Sequence, residues 1–321
     1  MNTLAVTGAT GFLGQHLLDF LADRGDIQVR ALIHRNRSAN ILSRENLVAI
    51  EGDLENPETL NELMQPGCTV VNLVYLGDRS KRKNLDAMEN LAQTCARARV
   101  KRLVHCSTAV VVGGARHGVI TESTPCHPTT EYEATKLAVE EIFQRRAVND
   151  FEVAILRPTA VFGPGGKNLL KLANDLMKGK RTINYLKSCL FNHRRMNLVY
   201  VANVVSAIAF LTEMAGGIGP EVFIVSDDED PSNNYRDVEK YLMKSFEYAD
   251  CLVPRIPLPP FALAVLLRLA GRSHWNPSRV YSCEKLLKAG FRKPVAFGSG
   301  LAFFADWYKD QFYRNVRQAN S

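Results

Sequence analysis

No two cysteines in this 321-residue chain stand two residues apart, and the seven present, Cys68, Cys95, Cys106, Cys126, Cys189, Cys251 and Cys283, show no recurrent spacing. That excludes the usual zinc ligand pairs and a disulfide framework, and fits reduced thiols in a cytoplasmic protein. No apolar run reaches the roughly 20 residues that cross a bilayer. The longest, Leu258–Ala270, is broken by Arg268 and follows Pro257, with Pro259 and Pro260 at its head. It reads as a buried or amphipathic helix, with peripheral membrane contact as the alternative. Between Met1 and the first strand-like residues there is no basic flank and apolar core of a signal peptide, so no export is expected. Charge blocks are absent too. The 40 Lys and Arg against 33 Asp and Glu give a net +7, but the cations are scattered, which argues against a nucleic-acid surface. There is no internal repeat or low-complexity tract.

What remains is ordinary globular composition, 46% hydrophobic and 23% charged. Apolar strand-like runs occur at Thr3–Thr7, Gln28–Ile33, Thr69–Val74, Arg102–Cys106 and Val153–Leu156, separated by stretches long enough for crossover helices. Such alternation predicts an α/β fold with a doubly wound parallel sheet covered on both faces. Beyond Pro158 a Gly/Pro-rich loop leads into helical and basic segments. Leu198–Val201 and Glu221–Val225 are strand-like again, and the C-terminal portion reads as helical. The boundaries expected are residues 1–163 and 197–227 for a dinucleotide-binding domain. Residues 164–196 and 228–321 form a smaller, mainly helical substrate portion.

Gly8, Gly11 and Gly14 sit between the first strand and a helix-spaced segment, Phe12–Ala22. A turn this tight needs residues that tolerate positive φ, and a pyrophosphate approaching the backbone leaves no room for Cβ. The helix start supplies free N–H groups and the positive end of a dipole. Gly8, Thr10, Gly11, Phe12, Leu13 and Gly14 are therefore the candidate phosphate cradle. After the second strand come Ile33, His34 and Arg35, with Arg37 beyond, rather than the carboxylate that accepts from the ribose of NAD. Arg35 pairing a 2′-phosphate tilts the reading from NAD towards NADP; the alternative is a solvated loop. Asp53, beside Leu54, is placed to accept from an adenine amino group or to cap the helix that begins near Pro57.

Tyr132 and Lys136, four residues apart, share one helix face. A phenol titrates near about 10, so it serves as a base near neutrality only with a cation to stabilise its phenolate. Lys136 can provide that charge. Val104-His-Cys-Ser-Thr108 ends a strand where Thr108, or its neighbour Ser107, faces the same crevice or closes the strand end.

Together these segments, with Asn84-Leu-Asp-Ala-Met-Glu-Asn-Leu, Arg157-Pro-Thr-Ala-Val-Phe-Gly-Pro164 and Leu198-Val-Tyr-Val-Ala-Asn203, resemble the extended short-chain dehydrogenase/reductase family over nearly the whole chain. The nucleotide-sugar epimerases, dehydratases and ketoreductases are the nearest pattern. The resemblance implies a Rossmann-like fold, a homodimer built on the Tyr132 helix, and a catalytic group in which Thr108 polarises the substrate oxygen. In it Tyr132 exchanges the proton and Lys136 lowers the phenol pKa and holds the nicotinamide ribose. Asn84 matches an asparagine near the cofactor or the helix shaping its site. Asn192–Arg195 and Val225–Asp230 are similar to members acting at C4 of UDP-linked N-acetylated 6-deoxyhexoses. A nucleotide-sugar substrate is then expected with its diphosphate near Asn168 and Arg195. Asn72, Val74, Val112 and Met196 depart from the family pattern, and Met196 stands where the family carries an arginine for the diphosphate. The alternatives are an NADPH-dependent reductase of a small hydrophobic ketone, steroid- or flavonoid-like, and a non-catalytic dinucleotide-sensing or assembly protein.

Overall fold

In chain order the strands are β1 (Asn2–Thr7), β2 (Ile27–Ile33), β3 (Leu47–Glu51), β4 (Thr69–Asn72), β5 (Arg102–Cys106), β6 (Val119–Ile120), β7 (Glu152–Pro158), β8 (Ala160–Phe162), β9 (Leu198–Tyr200), β10 (Glu221–Val225) and β11 (Val280–Tyr281). The helices are α1 (Phe12–Leu21), α2 (Pro57–Leu63), α3 (Lys81–Arg97), α4 (Glu131–Ala147), α5 (Leu170–Met177), α6 (Arg181–Phe191), α7 (Val201–Glu213), α8 (Tyr235–Ser245), α9 (Pro260–Leu269), α10 (Glu284–Lys288) and α11 (Phe297–Ala319). The structure is a computed structural model that describes residues 2–34, 45–77, 79–115, 118–147, 150–179, 181–248, 256, 259–269 and 276–319.

Seven strands form one sheet in the order β3-β2-β1-β4-β5-β7-β10, every pair parallel. This is the doubly wound, Rossmann-like architecture expected from the spacing of apolar runs. Chain direction across the sheet reverses at β1, whose neighbours are β2 and β4, so the connections diverge there and open a crevice beyond the carboxyl ends of the strands.

Alternate residues of a strand face opposite ways, and both faces of this sheet are buried. From β1, Leu4 and Val6 pack with Leu17, Leu18 and Leu21 of α1 and with Val204, Ile208 and Leu211 of α7. Ala5 faces the other layer, where Leu60 and Leu63 of α2, Met88 and Leu91 of α3 and Val139 and Phe143 of α4 meet Val70, Leu103 and Val153. The first core continues into α5, α8 and α11 through Leu172, Leu176, Leu242, Phe304 and Tyr308. β8 pairs with β9, and β6 with β11, as two small parallel ribbons at the carboxyl edge of the sheet.

Three details differ from the sequence reading. β3 was not expected: it is five residues long, ends in Glu51, and pairs only with β2 at the sheet edge. Asn56, not Asp53, caps α2; its side chain accepts from the Glu58 amide at 2.9 Å, and Pro57 occupies the first helical position. Asp53 instead accepts from the Glu55 amide at 3.0 Å, in the turn before the cap. The apolar 258–270 segment does form a helix, α9, but Phe261, Val265 and Leu269 are exposed. Among the described residues no helix is long and apolar enough to cross a membrane.

Arg102 ties the sheet to α7. Fully buried, its guanidinium donates to Glu152 at 2.7 Å, to the carbonyls of Leu211 and Thr212 at 2.8 and 3.2 Å, and to Gly216 O at 3.2 Å. Helix-end carbonyls need such donors, and removing one partner of a buried pair strands the rest. Arg102→Met is expected to cost roughly 3 kcal/mol and to lower the calorimetric Tm by several degrees; an unchanged Tm would contradict this role.

Candidate active site

The turn between β1 and α1 has little freedom. Gly8 has φ +78, where a side chain is strained, and a Cβ there would lie 3.1 Å from the Leu73 backbone. At Gly14 an added Cβ would meet Gly8 O at 2.2 Å and Ala9 O at 2.6 Å, so α1 seats against the turn only because Gly14 has no side chain. Gly11 begins the helix with no side-chain cap, which leaves first-turn amides turned to the crevice. The geometry fits a dinucleotide pyrophosphate: a bare backbone cradle at a helix N-terminus. Phe12 and Leu13 line the adjoining cavity, while Gln15 reaches back to the Thr10 carbonyl at 3.2 Å.

At the far end of the crevice, His34, Glu51, Gly52, Asp53, Asn56 and Thr59 line a cavity of about 530 Å³. Asp53 is therefore at the expected adenosine end, 3.8 Å from the His34 ring. Leu54 is buried in the core behind it. Arg35 and Arg37 lie outside the described residues.

Nearer the sheet centre a cavity of about 540 Å³ is lined by Phe12, Leu13, Tyr75, Thr108, Tyr132, Lys136 and Asn168, among others. The three candidate catalytic side chains thus meet, beside the Gly-rich turn. β5 delivers Thr108 at its carboxyl end, and the four-residue spacing on α4 brings Tyr132 and Lys136 to the same opening. Thr108 and Tyr132 line the same cavity, and Thr108 Oγ1 accepts from the Val110 amide at 3.4 Å, so the residue serves both the cavity and the strand end. Ser107 is different: its hydroxyl donates to the buried Glu140 carboxylate.

Burial pushes the Tyr132 phenol above its ordinary pKa, and the Thr108 hydroxyl works in the opposite direction by favouring the phenolate. Burial also pulls the Lys136 ammonium below its ordinary value, against the attraction of Cys106 and Glu140. Lys136 Nζ donates to the Cys106 carbonyl at 3.2 Å and stands 5.4 Å from the centre of the Tyr75 ring.

The sequence reading did not single out Tyr75, whose ring meets Tyr132 edge-on at 4.9 Å. Its signal was its place just past β4, at the carboxyl edge beside β1. Glu140 was also missed. It stands four residues after Lys136, on the same face as the Tyr/Lys pair, and Arg157 of β7 binds it with Nη2 at 2.5 Å and Nε at 3.0 Å. Asn84 bonds the Leu76 amide and carbonyl at 2.9 and 3.0 Å, fixing the loop that presents Tyr75.

A second chamber of about 350 Å³ shares Val110, Thr159 and Ala160 with the first. Its other lining residues include Phe191, Arg194, Arg195, Met196, Tyr235 and Tyr281. Arg194 lies 5.5 Å over the Phe191 ring. Arg195 donates to the Asp230 carbonyl at 2.9 Å, and Asn168 to the Val161 carbonyl at 2.6 Å. The two expected diphosphate ligands are thus on different chambers, each bonded to the chain itself. Among the described residues there is no cluster of three metal-ligating side chains.

Two measurements check this geometry. Gly14→Ala should weaken dinucleotide binding at least about tenfold by forcing α1 off the turn, with far-UV circular dichroism little changed; undiminished binding would contradict the packing. In the free protein, Tyr132 should titrate above the ordinary phenol value near about 10, read from ¹³Cζ-tyrosine NMR. Thr108→Val should raise it further, since the lost hydrogen bond favoured the charged form; a fall would contradict the contact.

Comparison with known proteins places the chain in a family. The family model described as NAD dependent epimerase/dehydratase matches residues 4–226. A 4-hydroxy-2-methyl-3-oxo-4-farnesyl-3,4-dihydroquinoline-1-oxide ketoreductase of Stigmatella aurantiaca is 30% identical over 237 residues, 69% of this chain and 67% of that protein. A UDP-glucose 4-epimerase of Azospirillum brasilense is 30% identical over 203 residues, 55% of this chain and 57% of its own length. The solved UDP-glucose 4-epimerase of Thermotoga maritima with UDP-glucose superposes with a TM-score of 0.74 at 19% identity, over 97% of this chain and all of that one, 100%. With its glycine turn, its parallel sheet and these matches, the chain belongs to the NAD dependent epimerase/dehydratase family and is an enzyme of the NAD-dependent oxidoreductase type.

Proposed function

We propose that the protein moves a hydride at C4 of a nucleotide-linked hexose, as a 4-epimerase or a 4-ketoreductase, with Thr108, Tyr132 and Lys136 as its catalytic group. The observation that carries this reading is that the two chambers adjoin, sharing Val110, Thr159 and Ala160 in their linings. Thr108 and Tyr132 line the first, and Arg194 and Arg195 stand with Phe191, Tyr235 and Tyr281 in the second. A sugar ring in the first chamber directs its diphosphate towards the guanidiniums and its base towards the aromatic rings. Residues 164–196 and 228–321 then form the substrate side, and residues 1–163 with 197–227 the dinucleotide side.

The dinucleotide, NAD or NADP, supplies the hydride acceptor or donor. Thr108 orients the substrate oxygen by a hydrogen bond, and Tyr132 takes or returns the proton on that oxygen. Lys136 would hold the nicotinamide ribose, and its positive charge beside Tyr132 would favour the phenolate.

The lining of the second chamber also supports another reading. Ala109, Val110, Ala160, Phe191 and Met196 make most of it apolar, and Arg195 is engaged by Asp230. That favours a ketone with a hydrophobic body, and the Stigmatella relative is named for a farnesyl-bearing one.

One experiment separates the readings: UDP-hexoses, their 4-keto derivatives and a steroid ketone are each incubated with the protein and with NAD(H) or NADP(H), and products are identified by mass and NMR. The proposal expects turnover of a UDP-sugar, a fall of about 10²-fold or more in Tyr132→Phe with dinucleotide binding retained, and a raised KM in Arg195→Met. Turnover of the steroid alone, indifferent to Arg195, would replace it with the hydrophobic-ketone reading. Tight dinucleotide binding with no turnover of any substrate would point to the sensing or assembly role.

A further inference from the structure

Helix α9 carries an apolar face that is exposed among the described residues. Phe261, Val265 and Leu269 recur every four residues and therefore lie along one side of the helix, at 75%, 54% and 80% exposure. Ile256, just ahead of the helix, is 78% exposed. Among the described side chains of α9, Leu263 is the buried one. An exposed stripe of Phe, Val and Leu is costly in water and marks a surface that burial would stabilise.

Charge identifies what covers it. Between Asp250 and Glu284 the sequence has no carboxylate, while it carries Arg255, Arg268, Arg272, Arg279 and His274. Arg279 is buried and bonded to the carbonyls of Gly113 and Ala115, so it belongs to the fold. Arg268 is exposed, one residue from Leu269 at the rim of the apolar stripe. The segment also contains Trp275, a residue type favoured at membrane interfaces. Ten residues give a helix of about 15 Å, too short to cross a bilayer and suited to lying in its surface. The expected homodimer uses the Tyr132 helix, so it does not require this face.

We infer that α9 is a monotopic docking element that seats the enzyme on an anionic lipid surface, with Phe261, Val265 and Leu269 in the acyl boundary and Arg268 at the headgroups. The apolar side chains supply the depth-dependent part of binding, and Arg268 a salt-sensitive part. This holds for either substrate reading.

Cosedimentation of the full chain with vesicles tests it, using phosphatidylcholine alone and phosphatidylcholine with about 30% phosphatidylglycerol. Binding is expected to the mixed vesicles, weakened by salt, and reduced about tenfold or more in Phe261→Glu/Leu269→Glu. Arg268→Glu should weaken it less. Retained dinucleotide binding shows that the variants fold. No binding of the folded wild type to mixed vesicles, equal binding by the double variant, or loss of a wild-type dimer on gel filtration of that variant would overturn the assignment; the last would identify a second copy as the cover.

Discussion

The carboxylate of Glu140, nearly inaccessible to water, accepts hydrogen bonds from Ser107 at the end of β5 and from Arg157 near the end of β7. Those two strands are neighbours in the sheet, and Glu140 belongs to the helix packed over them. A buried ion pair of this kind gives little net stability, because both charges lose water, but it tolerates few geometries. Its value lies in fixing where α4 sits along the strand ends. Lys136 is one helical turn before Glu140, and Tyr132 one turn before that, so fixing Glu140 fixes both against Thr108. A second constraint meets it from the other side: Gly14 lets α1 close onto the turn after β1. The candidate catalytic cavity is the space between these two fixed contacts.

Most of this arrangement was legible in the sequence because it depends on short-range patterns. A glycine every third residue after a strand, a Tyr/Lys pair at helical spacing and a strand-end hydroxyl each have a physical reason that does not require knowing the rest of the fold. The parallel sheet followed from apolar runs separated by crossover-length segments, whereas the strand order and its reversal at β1 came only with the structure. β3 was missed although Leu47, Val48, Ala49 and Ile50 form a continuous apolar run; the run is only four residues long and pairs with a single neighbour at the sheet edge. Asp53 was offered as a cap because it is an acidic residue ahead of a helix; the better signal was Pro57, which occupies the first helical position and makes residue 56 the cap. Tyr75 lies beyond the reach of local patterning, since its contacts with Tyr132 and Lys136 join separate elements.

The substrate side is less determined by pattern for the same reason. Phe191, Tyr235 and Tyr281 come from α6, α8 and β11, far apart in sequence, and only the fold assembles them into one chamber. Met196 replaces a fixed cation with a flexible apolar side chain at the position where the family pattern has arginine. The neighbouring arginines compensate only if they leave their present partners. On the proposed reading, substrate choice rests on a balance between two guanidiniums and an apolar wall, whereas the chemistry proposed at Tyr132 is common to every candidate substrate.

The central claim, that the dinucleotide's reactive ring lies against Tyr132, can be tested without knowing the substrate. Nuclear Overhauser contacts between nicotinamide protons and selectively labelled tyrosine rings, recorded at saturating NAD and assigned by their loss in Tyr132→Phe, report the distance directly. The account predicts cross-peaks from the nicotinamide ring to Tyr132. Saturated binding with no such contact would contradict it.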